Sequence, residues 1–304
     1  MFLVVNPRSG RRFVQKNWAR IENELKKALG SSFEYEFTER TNHATEIARR
    51  ALHEGFDTVV AVGGDGTINE TVNGFFEAGK PVNPDAALGV LAAGTGSDLA
   101  RTLSLPEDLE SAVQNLIGGE ARAIDVGTVE YATTEGAMLK RYFINIANIG
   151  LVGDVMKRVN RSSKPFGGNL TYQWSTIVSL ATHKSRRVSV QIEDRTPAEL
   201  SLLNFIVANG AFFGSGMKCA PNARIDDGLF ETIQIGDLGF FQALTNLRKF
   251  TKGEYLTHPK VVYGRAQSVS ATSDEEVPVE MDGEVVGLLP AAFRIIPGAI
   301  KVRA

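Results

Sequence analysis

The chain of 304 residues carries 33 Lys and Arg against 35 Asp and Glu, a formal net charge of −2, with 43% hydrophobic and 22% charged residues. This balance argues against a dedicated nucleic-acid binder, which would be strongly basic, and the single Cys219 excludes an internal disulfide framework or a cysteine zinc cluster. The length suffices for two domains of ordinary size.

Residues 1–6 form a short apolar run that reaches a turn without the basic start or long apolar stretch of a signal peptide, so they read as a first strand, 2–5. Val14, Trp18, Ile21, Leu25 and Ala28 recur at helical spacing, with Gly30 as the stop. Phe33, Tyr35 and Phe37 alternate as a strand does. Ala44, Ile47, Ala48, Ala51 and Leu52 form the next helical face, closed by Gly55. Strand 58–62, a glycine box, a helix through Phe76, strand 87–92, a second glycine box and a helix near 107–117 follow. Such alternation predicts a parallel, three-layer α/β domain whose ligands bind beyond the carboxyl ends of the strands.

After Gly118 and Gly119 the pattern changes. Alternating runs at 124–130, 142–149, 187–192, 202–208, 229–235 and 267–271 predict an antiparallel β-sandwich, interrupted by helices near 169–182 and 238–251. The boundaries expected are 1–122 for the α/β domain and 123–289 for the sandwich, with 290–304 returning to the first. No apolar run approaches a membrane span, and a cytoplasmic protein is expected.

The boxes Gly63-Gly64-Asp65-Gly66-Thr67 and Gly94-Thr95-Gly96-Ser97-Asp98 each link an apolar strand to a helix start. Backbone N–H groups of such loops can face an anion with the helix dipole behind them. Two boxes that each carry an Asp point to a polyphosphate with a divalent cation bridging phosphate and carboxylate. Thr67 can cap its helix and offer a hydroxyl. Asn6, Pro7, Arg8, Ser9 and Gly10 form a further turn of anion-binding composition, with Arg11 and Arg12 adding positive potential. Asp282 and Glu284 flank Gly283; on an extended strand they point to one face, where two carboxylates divide proton transfer and orientation. A hairpin turn explains Asp-Gly equally well. The helix with Phe240, Phe241, Leu244, Leu247, Arg248 and Phe250 reads as core with a basic solvated face, the alternative being membrane contact. Gly74 to Lys80 imitates a phosphate loop but ends in Pro81 and follows a helix, so it is set aside.

In order, Asn6-Pro7-Arg8-Ser9-Gly10, GGDGT running into residues 68–74, Gly94 to Arg101, Asp226-Asp227-Gly228 and Asp282-Gly283-Glu284 resemble the diacylglycerol kinase catalytic family of lipid kinases over nearly the whole chain. The resemblance implies ATP-dependent phosphoryl transfer to a lipid hydroxyl, with ATP and Mg²⁺ bound between the domains over the glycine boxes. It implies nucleotide contacts from Asn6 to Gly10, Thr41, Gly63, Gly64, Asp65, Gly66, Thr67, Glu70, Gly94, Thr95 and Arg101. It makes Asp282 the general base, with Glu284 linked to Asp65 and Asp125, and Asp98 facing the acceptor. It also implies a structural magnesium on Asp227 and the carbonyls of Arg224 and Leu229. Ser97 and Leu99 replace the Asn and Phe usual in the second box. The implied partner is a membrane lipid, met peripherally at the inner membrane face; a homodimer is among the partners considered. A NAD kinase-like phosphotransferase and a non-catalytic nucleotide- or lipid-binding regulator are the rival readings.

Overall fold

A computed structural model describes residues 1–93, 96–161, 168–214 and 216–304, so Gly94 and Thr95 of the second box lie outside the described residues. The chain divides into two compact units: residues 1–126 with 297–304, and residues 127–296.

The first unit follows the sequence pattern closely. It contains β1 (Phe2–Val5), α1 (Ser9–Leu29), β2 (Glu34–Phe37), α2 (His43–His53), β3 (Thr58–Gly63), α3 (Asp65–Gly74), a two-strand ribbon of β4 (Phe76–Glu77) and β5 (Lys80–Pro81), β6 (Ala87–Ala92), α4 (Asp98–Thr102) and α5 (Leu109–Gly118). The sheet order is β2-β1-β3-β6, all parallel. Lys301 and Val302 at the chain end add beyond β6, parallel to Ala87 and Leu88. Nearly every side chain of β1, β3 and β6 is buried, as a sheet covered on both faces requires. Helices α1 and α5 close one face through Val14, Ile21, Leu25, Val113 and Leu116. Helices α2 and α3 pack together, with α2 against β1 and β3 and α3 against β3 and β6, which completes the three layers.

The helix after the first strand differs from a plain strand–helix turn. Gly10, Arg11 and Arg12 all have left-handed φ, of 58°, 56° and 67°, before the regular helix sets in. Gly10 is required there twice over, by its φ and because a Cβ would lie 2.4 Å from the Ala93 carbonyl oxygen.

The second unit contains the latter half of β7 (Ala121–Ala132), then β8 (Met138–Phe143), β9 (Ile146–Gly150), α6 (Leu151–Arg161), α7 (Gly168–Thr182), β10 (Arg186–Ile192), β11 (Ala198–Ala208), β12 (Phe230–Gly236), α8 (Phe240–Thr251), β13 (Val261–Ala266), β14 (Ser268–Thr272), β15 (Pro278–Met281) and β16 (Glu284–Arg303) up to Ile296. Its strands pair antiparallel in the order β13-β12-β11-β10-β14-β16, while β9 pairs with β11 and β15, and β15 with β16. Strand β11 changes partner along its length: residues 198–202 pair with β10, and 204–208 pair with β9. Its alternation serves two cores. Leu202, Phe205 and Val207 enter the sandwich interior, while Leu203, Ile206 and Ala208 face the cluster that includes α6, α7 and α8.

Two sequence expectations change here. The apolar run 142–149 is broken at Ile144 and Asn145 into two strands with different partners. Helix α6 and strands β13 and β15 were not anticipated, because α6 follows β9 with no intervening loop and both strands are short. Helix α8 is core in part, as expected: Ala243 is buried, but Phe241 is 78% exposed. The side chains of Arg248 and Phe250 lie outside the described residues. Among the described residues no helix is long and apolar enough to cross a membrane.

Phe143 is the centre of the sandwich core. Its ring stacks on Phe230 at 5.6 Å and meets Phe293 edge-on at 6.3 Å, and Gly127 makes room for it, since a Cβ there would lie 2.3 Å from the ring. Phe143→Ala should therefore lower the free energy of unfolding by about 3–5 kcal/mol, read from the urea denaturation midpoint.

Candidate active site

Parallel pairing puts the carboxyl ends of β1, β3 and β6 on one edge of the first unit's sheet, and their three loops are tied together there. Asn6 N–H donates to the Val62 carbonyl at 2.9 Å, and Ala93 N–H donates to the Gly63 carbonyl at 2.8 Å. Asn6 Nδ2 donates to Thr67 Oγ1 at 2.8 Å, and its Oδ1 accepts from Arg8 N–H at 2.9 Å. Ser9 Oγ accepts from Gly64 N–H at 3.2 Å. Thr67 therefore does not cap α3, which begins after Gly64 without a side-chain cap; its hydroxyl receives Asn6 instead. At Gly66 no neighbouring atom of the described residues lies within 4 Å of where a Cβ would be.

Asp65 Oδ1 accepts from Leu99 N–H at 3.3 Å, at the start of α4. The acid of the first box thus holds the helix of the second, a helix N-terminus taking an anion. Asp98 is 7% exposed and lies 3.6 Å from Arg101 Nη1, which also donates to the Gly96 carbonyl. Ser97 adopts left-handed φ of 52°, and Leu99 is buried. Glu70 Oε2 accepts from Ala44 N–H at 3.2 Å, so it fixes the first turn of α2. Thr41 is exposed just ahead of that helix, which His43 begins. Asp125 is 2% exposed, and its Oδ1 accepts from Gly298 N–H at 2.8 Å, anchoring the chain end.

In the second unit Asp282 and Gly283 form the two-residue turn between β15 and β16, with φ of 45° and 92° and Met281 opposite Glu284. The expectation that Asp282 and Glu284 share one face of an extended strand is thereby corrected. Glu284 Oε2 pairs with Arg141 at 3.2 Å. The Asp282 carboxylate turns back onto the β8–β9 connection, where Oδ2 accepts from Ile144 N–H at 2.9 Å and Oδ1 accepts from Asn145 and Ile146 N–H at 3.1 and 3.0 Å. Successive N–H groups that converge on one anion make a nest.

A buried polar chain supports this turn. Val152 N–H donates to Asn204 Oδ1 at 3.2 Å, Asn204 Nδ2 to Asn148 Oδ1 at 3.0 Å, Asn148 Nδ2 to Glu280 Oε2 at 2.7 Å, and Gly283 N–H to Glu280 Oε1 at 2.5 Å. Burial pushes the Glu280 carboxyl from 4.5 up to about 8; the two donated bonds oppose this, and the nearby Asp282 and Glu284 add to it. Sequence reading missed Glu280, Asn148 and Asn204. The available signal was a polar residue at an inward position of an otherwise apolar strand.

The same unit encloses an apolar cavity of about 490 Å³. Leu151, Val155, Leu180, Ile206, Phe213 and Leu244 line it, with Asn148 and Asn204 as polar points on its wall.

At the proposed structural cation site, Asp227 Oδ1 accepts from Leu229 N–H at 3.1 Å and Oδ2 pairs with the Arg265 guanidinium. Arg224 Nε lies 3.4 Å from Asp226. The donor set is oxygen-only and suits a hard cation, but here the positive charge on Asp227 is that of Arg265.

Residues 1–129 match the family described as the diacylglycerol kinase catalytic domain, and residues 145–304 match the YegS C-terminal NAD kinase beta sandwich-like domain. This chain belongs to the diacylglycerol kinase family. The diacylglycerol kinase of Staphylococcus carnosus is 32% identical over 99% of this chain and 93% of its own. That of Staphylococcus aureus is 32% identical over 99% and 91%. A solved structure of a diacylglycerol kinase from Bacillus anthracis covers 99% of this chain and 95% of its own, with a TM-score of 0.73 at 20% identity, a likeness of fold. Membership makes the protein a kinase, a phosphotransferase with an alcohol acceptor, and implies ATP as phosphate donor.

The raised Glu280 carboxyl gives a pH prediction. Stability contributed by the protonated group is complete below 4.5 and is lost as pH rises through about 8. The free energy of unfolding should decline across that window, and Glu280→Gln, which cannot ionise, should flatten the decline in urea titrations. An unchanged slope in the variant would show that Glu280 is not the group responsible.

Proposed function

We propose that the protein transfers the γ-phosphoryl group of ATP, with Mg²⁺, to the hydroxyl of a membrane lipid of the diacylglycerol type. The observation that carries the lipid reading is the apolar cavity of the second unit, large enough for part of an acyl chain, with Asn148, Thr176, Asn204 and Asn246 as polar side chains in a largely apolar lining. In this reading the Asn6–Gly10 turn, Gly63 to Thr67 and the second box, with Gly94, Thr95 and Arg101, receive the phosphates at the sheet edge, and Thr41 and Glu70 stand at the nucleotide's flank. Asp65 and Asp98 lie with the magnesium–phosphate assembly, whose chemistry is to neutralise charge developing on the transferred group. Asp125 acts by fixing the chain end. A structural cation at Asp227, with the Arg224 and Leu229 carbonyls, has to displace Arg265.

Asp282 is the proposed proton acceptor, and Glu284 its neighbour in charge. Phosphoryl transfer passes through a loose transition state, in which the attacking hydroxyl needs position more than a strong base. Three backbone N–H bonds supply that position. Phe241, exposed on α8, is the proposed point of peripheral membrane contact at the inner face.

Two measurements test the reading. Asp282→Asn should lower kcat for diacylglycerol phosphorylation by about 10²–10⁴-fold with ATP affinity unchanged, measured by transfer from γ-labelled ATP in detergent micelles and with folding checked by thermal melts; full activity in the variant removes Asp282 from the chemistry. Ala243 lines the cavity, so Ala243→Phe should raise KM for long-chain diacylglycerol while leaving KM for ATP unmoved. Equal lipid kinetics in wild type and variant would place the acceptor elsewhere.

A further inference from the structure

Helix α7 has two working faces. Thr176, Ile177 and Leu180 line the apolar cavity, whereas Ser179, Thr182 and His183 line a different one of about 780 Å³. Asp154, Lys157 and Arg158 enter that second cavity from one face of α6, at helical spacing, and Arg186 enters from the start of β10.

Asp154 organises the polar groups. Its Oδ2 lies 3.2 Å from His183 Nδ1 and accepts from Arg186 Nη2 at 3.0 Å. Burial works against its charge, but the His183 bond and the Arg186 and Lys157 charges outweigh burial and hold the carboxyl below its ordinary value. The histidine ring and the guanidinium are thus each fixed by one nitrogen. Among the described residues, His183 Nε2 and Arg186 Nη1 are buried without a hydrogen-bond partner, and so is Ser179 Oγ. Ser179 is 2% exposed, and the His183 side chain is 1% exposed.

Native proteins rarely leave three neighbouring polar atoms buried and unsatisfied, because each forfeits its hydration. The residues that carry them, Ser179, His183 and Arg186, line one cavity, and each atom can donate: the guanidinium always, the hydroxyl by rotation, the imidazole when protonated. Lys157, Arg158 and Lys184 add cations around them, against Asp154 and Glu275. Glu275 Oε1 already accepts from Arg187 N–H at 3.0 Å. Donors from several directions, with a planar guanidinium among them, match a tetrahedral oxyanion.

We propose that Ser179, His183 and Arg186 form a binding site for a phosphate-class anion, either free phosphate or the phosphomonoester of a lipid headgroup. The site shares α7 with the acyl cavity, so an anion bound there touches the helix that also lines the cavity.

The test uses the full chain. Thermal unfolding is followed while inorganic phosphate is titrated against chloride at matched ionic strength, and sedimentation is measured with phosphatidylcholine vesicles with and without phosphatidate. A site of this kind gives a saturable rise in Tm or phosphatidate-dependent sedimentation, weakened about tenfold or more by Ser179→Ala and by Arg186→Gln. Phosphate response without sedimentation assigns a soluble ligand, and sedimentation competed by phosphate assigns a headgroup. Phosphate-free Ser179→Ala should be no less stable than wild type, since it removes only an unpartnered hydroxyl; it carries the test alone if Arg186→Gln does not fold. The proposal is overturned if neither probe binds, or if binding is the same in wild type and Ser179→Ala, which would place the anion at the glycine loops instead.

Discussion

The contact on which the arrangement of the second unit's β15–β16 turn depends is the grip of the Asp282 carboxylate on three consecutive backbone N–H groups, those of Ile144, Asn145 and Ile146. It fastens the tip of one hairpin to the break between two strands. That break is held from behind as well: Asn209 and Gly210 N–H donate to the Asn145 carbonyl, and Asn145 Nδ2 donates to the Phe212 carbonyl. A carboxylate on a free loop would sample many orientations; this one is confined by its own ligands. The turn and the anchored carboxylate are therefore one feature. Asp-Gly suits a turn with two left-handed residues, and the same Asp supplies the anion that the nest needs.

The first unit solves a related problem with different means. A parallel sheet delivers its loops to one edge for topological reasons, whatever their sequence. What makes them a single surface is the set of bonds among them: Asn6 to Thr67, Gly64 to Ser9, and Asp65 to the start of α4. The glycines differ. Gly10 allows one backbone to press against another, whereas a Cβ at Gly66 would meet no neighbouring atom of the described residues within 4 Å. The acids are likewise not alike. Asp65 bridges the two boxes, while Asp125 is spent on the backbone of Gly298.

Much of this was legible in the sequence because periodicity reports burial. Val59, Val60, Ala61 and Val62 are all buried and read as an interior strand; Val14, Ile21 and Leu25 sit on one side of a helix and read as such. The glycine boxes were visible because few other sequences suit a strand-to-helix loop of that kind. Three things were hidden. The kink at Gly10, Arg11 and Arg12 depends on the approach of Ala93, a contact made across the sheet. The direction of the Asp282 side chain depends on Ile144, far away in sequence. The polar chain through Asn204, Asn148 and Glu280 consists of single residues in three separate strands, each unremarkable until pairing brings them together. Local pattern reports local environment; a network assembled by pairing leaves no local trace.

The closing pair of Lys301 and Val302 with β6 also fixes an order of events during synthesis. The first unit's helices and four of its strands leave the ribosome early, but β6 keeps an unpaired edge until the sandwich unit has been made and the chain turns back through Gly298 to its anchor on Asp125. For that interval the nascent protein presents an open, apolar parallel edge, the kind of surface that recruits other chains. Completion of the first unit's sheet is thus deferred until the sandwich unit has been made, and a chain cut short before Lys301 keeps that edge unsealed.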